Sequence, residues 1–119
     1  MIGLLEDVGI EAMTATTSQN RVPVEVVLKD LMPLKKARRL ARGTGIDALS
    51  LAPPDVCTSD LCFESASRLL AEIDRNEIGA LVFISQTADY LSPATSYCLQ
   101  ERLGLTHDIL AFDVNLGCS

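Results

Sequence analysis

The sequence predicts an α/β layered fold, and three observations carry that prediction. Segments with strand character alternate with segments of helical periodicity along the chain. Two unbroken apolar runs, Ala80–Ile84 and Ile109–Val114, have the character of strands buried on both faces. Each is preceded by an amphipathic helical pattern able to cover a sheet, over Ser59–Asp74 and Pro93–Leu103. The two strands are therefore expected side by side in the interior of one sheet, with the helices on its faces.

The elements follow in order. Val8–Thr17 mixes apolar and small residues and is expected to begin with a strand. In Val22–Leu31, the residues Val24, Val27, Leu28 and Leu31 recur at helical spacing, so a short helix is expected after Pro23. Pro33 suits the first turn of the next helix, Leu34, Ala37, Leu40 and Ala41 form its apolar stripe, and Gly43 is placed to cap it. Its Lys and Arg residues complement the negative end of the helix dipole. Pro53 and Pro54 close the extended piece that follows. Ser59 reads as an N-cap, with Asp60 and Glu64 in the first turns and Cys62, Ala66, Leu69, Leu70 and Ile73 on one face. Asp74–Glu77 is a polar break, Ser85–Leu91 a loop, and Ser92 the cap of a helix that starts at Pro93 and ends near Gly104.

Composition excludes several functions. The chain has 119 residues, of which 48% are hydrophobic, enough for one domain with a core and far from the composition of a disordered tail. The net charge of −6 opposes a nucleic-acid role, which needs clustered cations. The one basic cluster, Lys35, Lys36, Arg38, Arg39 and Arg42, fits a solvated helix face. No segment approaches the ~18 apolar residues of a membrane span. The first ten residues carry Glu6 and Asp7 and lack the basic region of a signal peptide, so a reducing cytoplasm and free thiols are expected. The spacing of Cys57 and Cys62 is not that of a zinc knuckle, and His107 is the only histidine; neither a metal nor a cofactor is expected.

The chemistry gathers at the end of the chain, where a strand leads through Asn115-Leu116-Gly117 into Cys118. If a helix follows, backbone N–H groups and the helix dipole stabilise a thiolate there, in the arrangement of a strand-to-helix nucleophile turn. By spacing alone, a buried and inert cysteine fits the pattern as well. His107 precedes the strand in a loop, where an ordinary surface histidine is the simpler reading.

Several motifs in order resemble those of the 3-oxoacyl-acyl-carrier-protein synthase III family. They are the 111–119 segment, Ala-Phe-Asp-Val-Asn-Leu-Gly-Cys-Ser; Val82–Tyr90; Pro93-Ala94-Thr95-Ser96; and Leu99–Leu105. Thr58–Cys62 and Thr44-Gly45-Ile46 match more weakly, and residues before Thr44 match only in general layout. The resemblance implies a thiolase-like fold, with residues 1–119 as an N-terminal half that has a mixed five-stranded sheet between helix layers. The second half, with a catalytic His and Asn, would lie outside this sequence, and residues 1–119 alone are expected to be inactive.

The resemblance further implies that Cys118 accepts an acyl group from acyl-CoA or an acyl carrier protein as a thioester. The acyl group would then condense with malonyl-acyl-carrier-protein. It places Arg42 and Thr44 at the donor-binding end, Tyr90 and Leu91 at the acyl pocket of a partner subunit, and the complete protein in a homodimer. One departure from the family pattern is Gly43, where an Arg commonly precedes Thr-Gly-Ile; Arg42 stands one position early, and Asp47-Ala48-Leu49 follows Ile46 in place of further basic residues. This favours a carrier-protein donor or a divergent substrate over CoA. A synthase III-like enzyme of secondary metabolism, a relative of hydroxymethylglutaryl-CoA synthase and a non-catalytic condensing-enzyme partner remain alternatives. The retained Cys118 weighs against the last.

Overall fold

A computed structural model describes residues 6–116. The elements run β1 (Arg21–Pro23), α1 (Val24–Val27), α2 (Leu34–Thr44), β2 (Ala48–Ser50), α3 (Thr58–Leu69), a 3-10 turn (Arg75–Glu77), β3 (Ala80–Ile84), α4 (Thr95–Arg102) and β4 (Leu110–Val114). They sort into two packing groups. β1 pairs antiparallel with β2, α1 packs on both strands, and α2 packs on α1. β3 pairs parallel with β4, and α3 and α4 build the second group around that pair. Among the described residues, no element of one group packs on an element of the other.

The expected neighbours are found: β3 and β4 lie side by side, in register from Ala80 opposite Leu110 to Ile84 opposite Val114. The parallel hand follows from the connection, because α4 and its flanking loops carry the chain back to the starting end. Phe83 points into a core with Leu70, Leu99, Leu103 and Leu105, flanked by Cys62, Phe63, Ala66, Ile73 and Ile109.

The described strands form two two-stranded sheets, and one expectation about them is corrected. The apolar runs are buried on one face only: Phe83 is 4% exposed, whereas Ile84 and Leu110 are each 69% exposed. An unbroken apolar run records how much burial a strand can use, but the covering layer must come from other residues, and none of those described lies over this face. Val82, Ile84, Leu110 and Phe112 thus form an open apolar patch. The 119-residue chain is expected to self-associate in light scattering. Val82→Lys combined with Phe112→Glu should shift it toward monomer, and a wild-type chain monomeric at high concentration would contradict this.

Several boundaries also differ. Val8–Thr17 forms no strand; it runs past α3, where the Thr14 hydroxyl donates to the Ser65 carbonyl at 2.9 Å. A strand needs a partner, and none of the described strands reaches this segment. The helix expected over Val22–Leu31 shrinks to α1, since Pro23 belongs to β1 and valines favour extended backbone. Pro33 is the N-cap of α2, and its C-cap is Gly45 in the left-handed region at φ 72°, not Gly43. The Thr44 hydroxyl bonds back to the Leu40 carbonyl, so the helix runs one residue past Gly43 before it unwinds.

α3 starts one residue early, with Cys57 as N-cap, and stops at Leu69 instead of Asp74. Asp60 reaches back to accept the Cys57 N–H at 2.9 Å, while Ser59 is buried within the first turn. α4 begins at Thr95, with Ala94 and not Ser92 at its N-cap, and closes through Gly104 at φ 63°.

Candidate active site

In a parallel pair both carboxyl ends open on the same side, the side on which layered α/β folds place their chemistry. Here β3 delivers the 85–94 loop and β4 delivers Asn115 and Leu116 toward Cys118. A hydrogen bond from Ser85 N–H to the Val114 carbonyl, 3.2 Å long, joins the two strand ends. Cys118 itself lies outside the described residues.

The 85–94 loop is held against the N-terminus of α3. The Thr58 and Thr87 hydroxyls meet at 2.8 Å, the Ser59 N–H donates to Asp89 Oδ1 at 3.4 Å, and Ser85 Oγ accepts the Thr87 N–H at 2.9 Å. With its base tied down, the loop presents its apolar tip to solvent: Tyr90 is 59% exposed, and Leu91 is fully exposed. Anchored polar residues beneath two exposed apolar ones are suited to a contact surface.

A second polar cluster joins the two helices. Arg102 pairs with Asp60 at 2.9 Å, donates to Ser59 Oγ at 3.3 Å and lies over the Phe63 ring at 4.6 Å. The Cys57 N–H, and after it Arg102, holds the Asp60 carboxyl below its ordinary value.

Asp113 is the charged residue inside the β4 run. Its carboxylate accepts the N–H groups of Thr95 and Ser96, each at 2.8 Å, and so caps α4 from a neighbouring strand. Burial pushes the Asp113 carboxyl up, but the Ser96 and Thr95 groups facing it outweigh that, and the net shift is downward.

The shifts of Asp60 and Asp113 have the same sign. A carboxyl whose pKa is depressed by folding adds stability above its unfolded value of about 3.9, and that stability is lost as pH falls through the folded value. Denaturant midpoints are expected to hold steady from about pH 7 to 5 and to fall below about pH 4, with the Asp113→Asn variant losing less over the acid range. A midpoint that rises on acidification would contradict both assignments.

The other sites named from the sequence lie elsewhere. Arg42 sits in the first packing group, along a groove of about 500 Å³ lined by Pro23, Glu25, Arg38, Ala41, Arg42 and Asp47. Arg38 is paired with Glu25 at 2.8 Å, while the Arg42 Nε donates to the Arg38 carbonyl at 3.3 Å. The Thr44 hydroxyl is committed to the end of its own helix. Arg42 and Thr44 therefore stand on the same helix but line different grooves, and neither is joined to Tyr90, Leu91 or the end of β4 among the described residues.

Cys62 and Cys98 are half-buried free thiols, and Cys57 is exposed. Burial, followed by the charge of Asp89, raises the Cys62 thiol, which makes it less reactive. His107 pairs with Glu101 at 3.1 Å on the surface. No cluster of potential metal ligands occurs among the described residues, and no helix there is long and apolar enough to cross a membrane. The sequence reading missed the role of Asp113, although a carboxylate within Ile-Leu-Ala-Phe-Asp-Val was a visible signal, because a charge in a buried strand needs partners.

No protein-family model matches the chain. Solved structures do. A 3-oxoacyl-(acyl-carrier protein) synthase from Burkholderia xenovorans LB400 superposes with TM-score 0.76 at 29% identity, over 90% of this chain and 32% of its own. A 3-oxoacyl-(acyl-carrier-protein) synthase III gives 0.77 at 27%, over 92% and 33%. A single-substitution variant of OleA from Xanthomonas campestris gives 0.70 at 27%, over 86% and 32%. The chain thus spans about a third of the length of the structures it matches. In fold it is similar to the 3-oxoacyl-acyl-carrier-protein synthase III enzymes of the thiolase superfamily.

Proposed function

We propose that this chain is the nucleophile-bearing part of a condensing acyltransferase, with residues 1–119 as the N-terminal portion of a two-half thiolase-like protein. The observation that carries the reading is the parallel β3–β4 pair, whose carboxyl ends direct the anchored Tyr90–Leu91 loop and the segment before Cys118 to one side. The Cys118 thiolate attacks the carbonyl of an acyl thioester and expels the donor thiol. A malonyl thioester then loses carbon dioxide, and the resulting carbanion attacks the acyl-cysteine. The cysteine thiolate departs as the 3-oxoacyl product forms. Sulfur suits both steps, because the thioester it makes stays activated toward carbon. A His and an Asn from the remainder of the protein would promote the decarboxylation.

The same reading completes the sheet. The open face and free edges of the β3–β4 pair support its place within a mixed five-stranded sheet whose other strands and covering layer come from further chain. Tyr90 and Leu91 would line the acyl pocket of a partner subunit in a homodimer. Arg42 and Thr44 would contact the donor, and the missing Arg before Thr44 favours an acyl carrier protein over CoA in that role. Fatty-acid synthesis in the cytoplasm is the setting this chemistry fits best; a secondary-metabolic synthase would use the same cysteine. The full-length protein incubated with acyl-carrier-protein or acyl-CoA donors should gain one acyl mass, located by peptide mass spectrometry on Cys118. An adduct on Cys57 would overturn the assignment.

A further inference from the structure

β4 is held in place by two independent contacts near its end. The Ser85 N–H clamps the Val114 carbonyl, and the Asp113 carboxylate takes both the Thr95 and the Ser96 N–H at 2.8 Å. Thr95 and Ser96 are completely buried, and neither hydroxyl has a hydrogen-bond partner. Ala94 supplies no side-chain cap to α4, so those two N–H groups depend on Asp113. Asp113 also stands opposite Phe83, the most deeply buried residue of β3.

This contact sets register as well as stability. A slip of one residue along β4 would move the chain by about 3.3 Å and turn Asp113 to the open face, away from α4. It would carry everything after Val114 with it. Misplacement of a reacting group by about 1 Å can cost on the order of 10²-fold in rate. Cys118 lies four positions beyond Val114 in the sequence.

From this geometry we infer that Asp113 is a positioning residue for the Cys118 thiol, acting by locking β4 against the N-terminus of α4 without touching substrate. The inference rests on the condensing reading for its functional consequence, but the lock itself does not.

The test uses the full-length protein with Asp113→Asn and Asp113→Ala. Asn keeps the shape and one acceptor oxygen, so Asp113→Asn is expected to retain a cooperative melt and native circular dichroism. Its rate of Cys118 acylation should fall on the order of 10²-fold at unchanged donor KM, with Ala lower still. Alkylation of Cys118 by iodoacetamide, followed peptide by peptide, should change at least about tenfold, while Cys57 is unchanged. A folded Asp113→Asn with wild-type rates at Cys118 would overturn the inference, and so would losses that merely track the unfolded fraction. If the wild-type protein forms no acyl adduct at all, the condensing reading fails, and the alkylation comparison still decides the positioning role.

Discussion

Cys118→Ser in the full-length protein is expected to abolish acylation and to lower condensation by at least about 10³-fold, the scale seen when a covalent nucleophile is removed. Serine keeps the shape, so the fold should survive and the loss should appear in the chemical step. Its hydroxyl is a poorer nucleophile near neutral pH, and an oxygen ester is less activated toward a carbanion than a thioester. Among the remaining cysteines, Cys62 has its thiol raised by burial and by Asp89, Cys98 is half-buried within α4, and Cys57 is exposed. Intact-mass and turnover measurements should therefore show loss with Cys118→Ser and retention with Cys57→Ser. Full activity in Cys118→Ser would refute the nucleophile assignment. The 119-residue chain alone should show little turnover, because the groups proposed to drive decarboxylation are not among its residues.

Leu99→Ala is expected to be a strongly damaging truncation in the core, at about 2–5 kcal/mol. Leu99 is 3% exposed and belongs to the cluster of Leu70, Phe83, Leu103 and Leu105 that joins α4 to β3. Removing it takes apolar contacts from α4, and the cavity left behind cannot close without moving the helix that Asp113 caps. Marginal stability of about 0.05–0.15 kcal/mol per residue makes such a loss a large share of the whole. Val82→Ala provides the contrast. Val82 is on the open face at 42% exposure, and its truncation in the 119-residue chain should cost less than about 1 kcal/mol. Urea denaturation of both variants checks the pair; similar losses would mean that the open face is covered in solution.

What the sequence determined by itself was the local and the periodic. Ala80–Ile84 and Ile109–Val114 were legible as neighbouring strands because an unbroken apolar run of that length, flanked by turn residues, has few other uses. The helices of the second group were legible from the spacing of Cys62, Ala66, Leu69 and Ile73, and from the breaks at Pro93 and Gly104. Cys118 stood out through its neighbours in the chain, as did the Tyr90–Leu91 loop, because the motifs that carry the family resemblance are local strings.

Tertiary structure decided whatever depends on residues distant in sequence. The cap of α4 comes from Asp113 on β4, seventeen residues beyond Ser96, and no N-cap rule applied to Ser92 or Ala94 could have found it. The end of α2 passed Gly43 because the helix could continue to Gly45, where a positive φ was needed. The strand expected over Val8–Thr17 failed to form because a strand is defined by its partner, and none of the described strands reaches it. The open face of β3 and β4 has the same cause. Hydrophobicity states that a surface should be covered, but only the arrangement of the other elements decides whether it is.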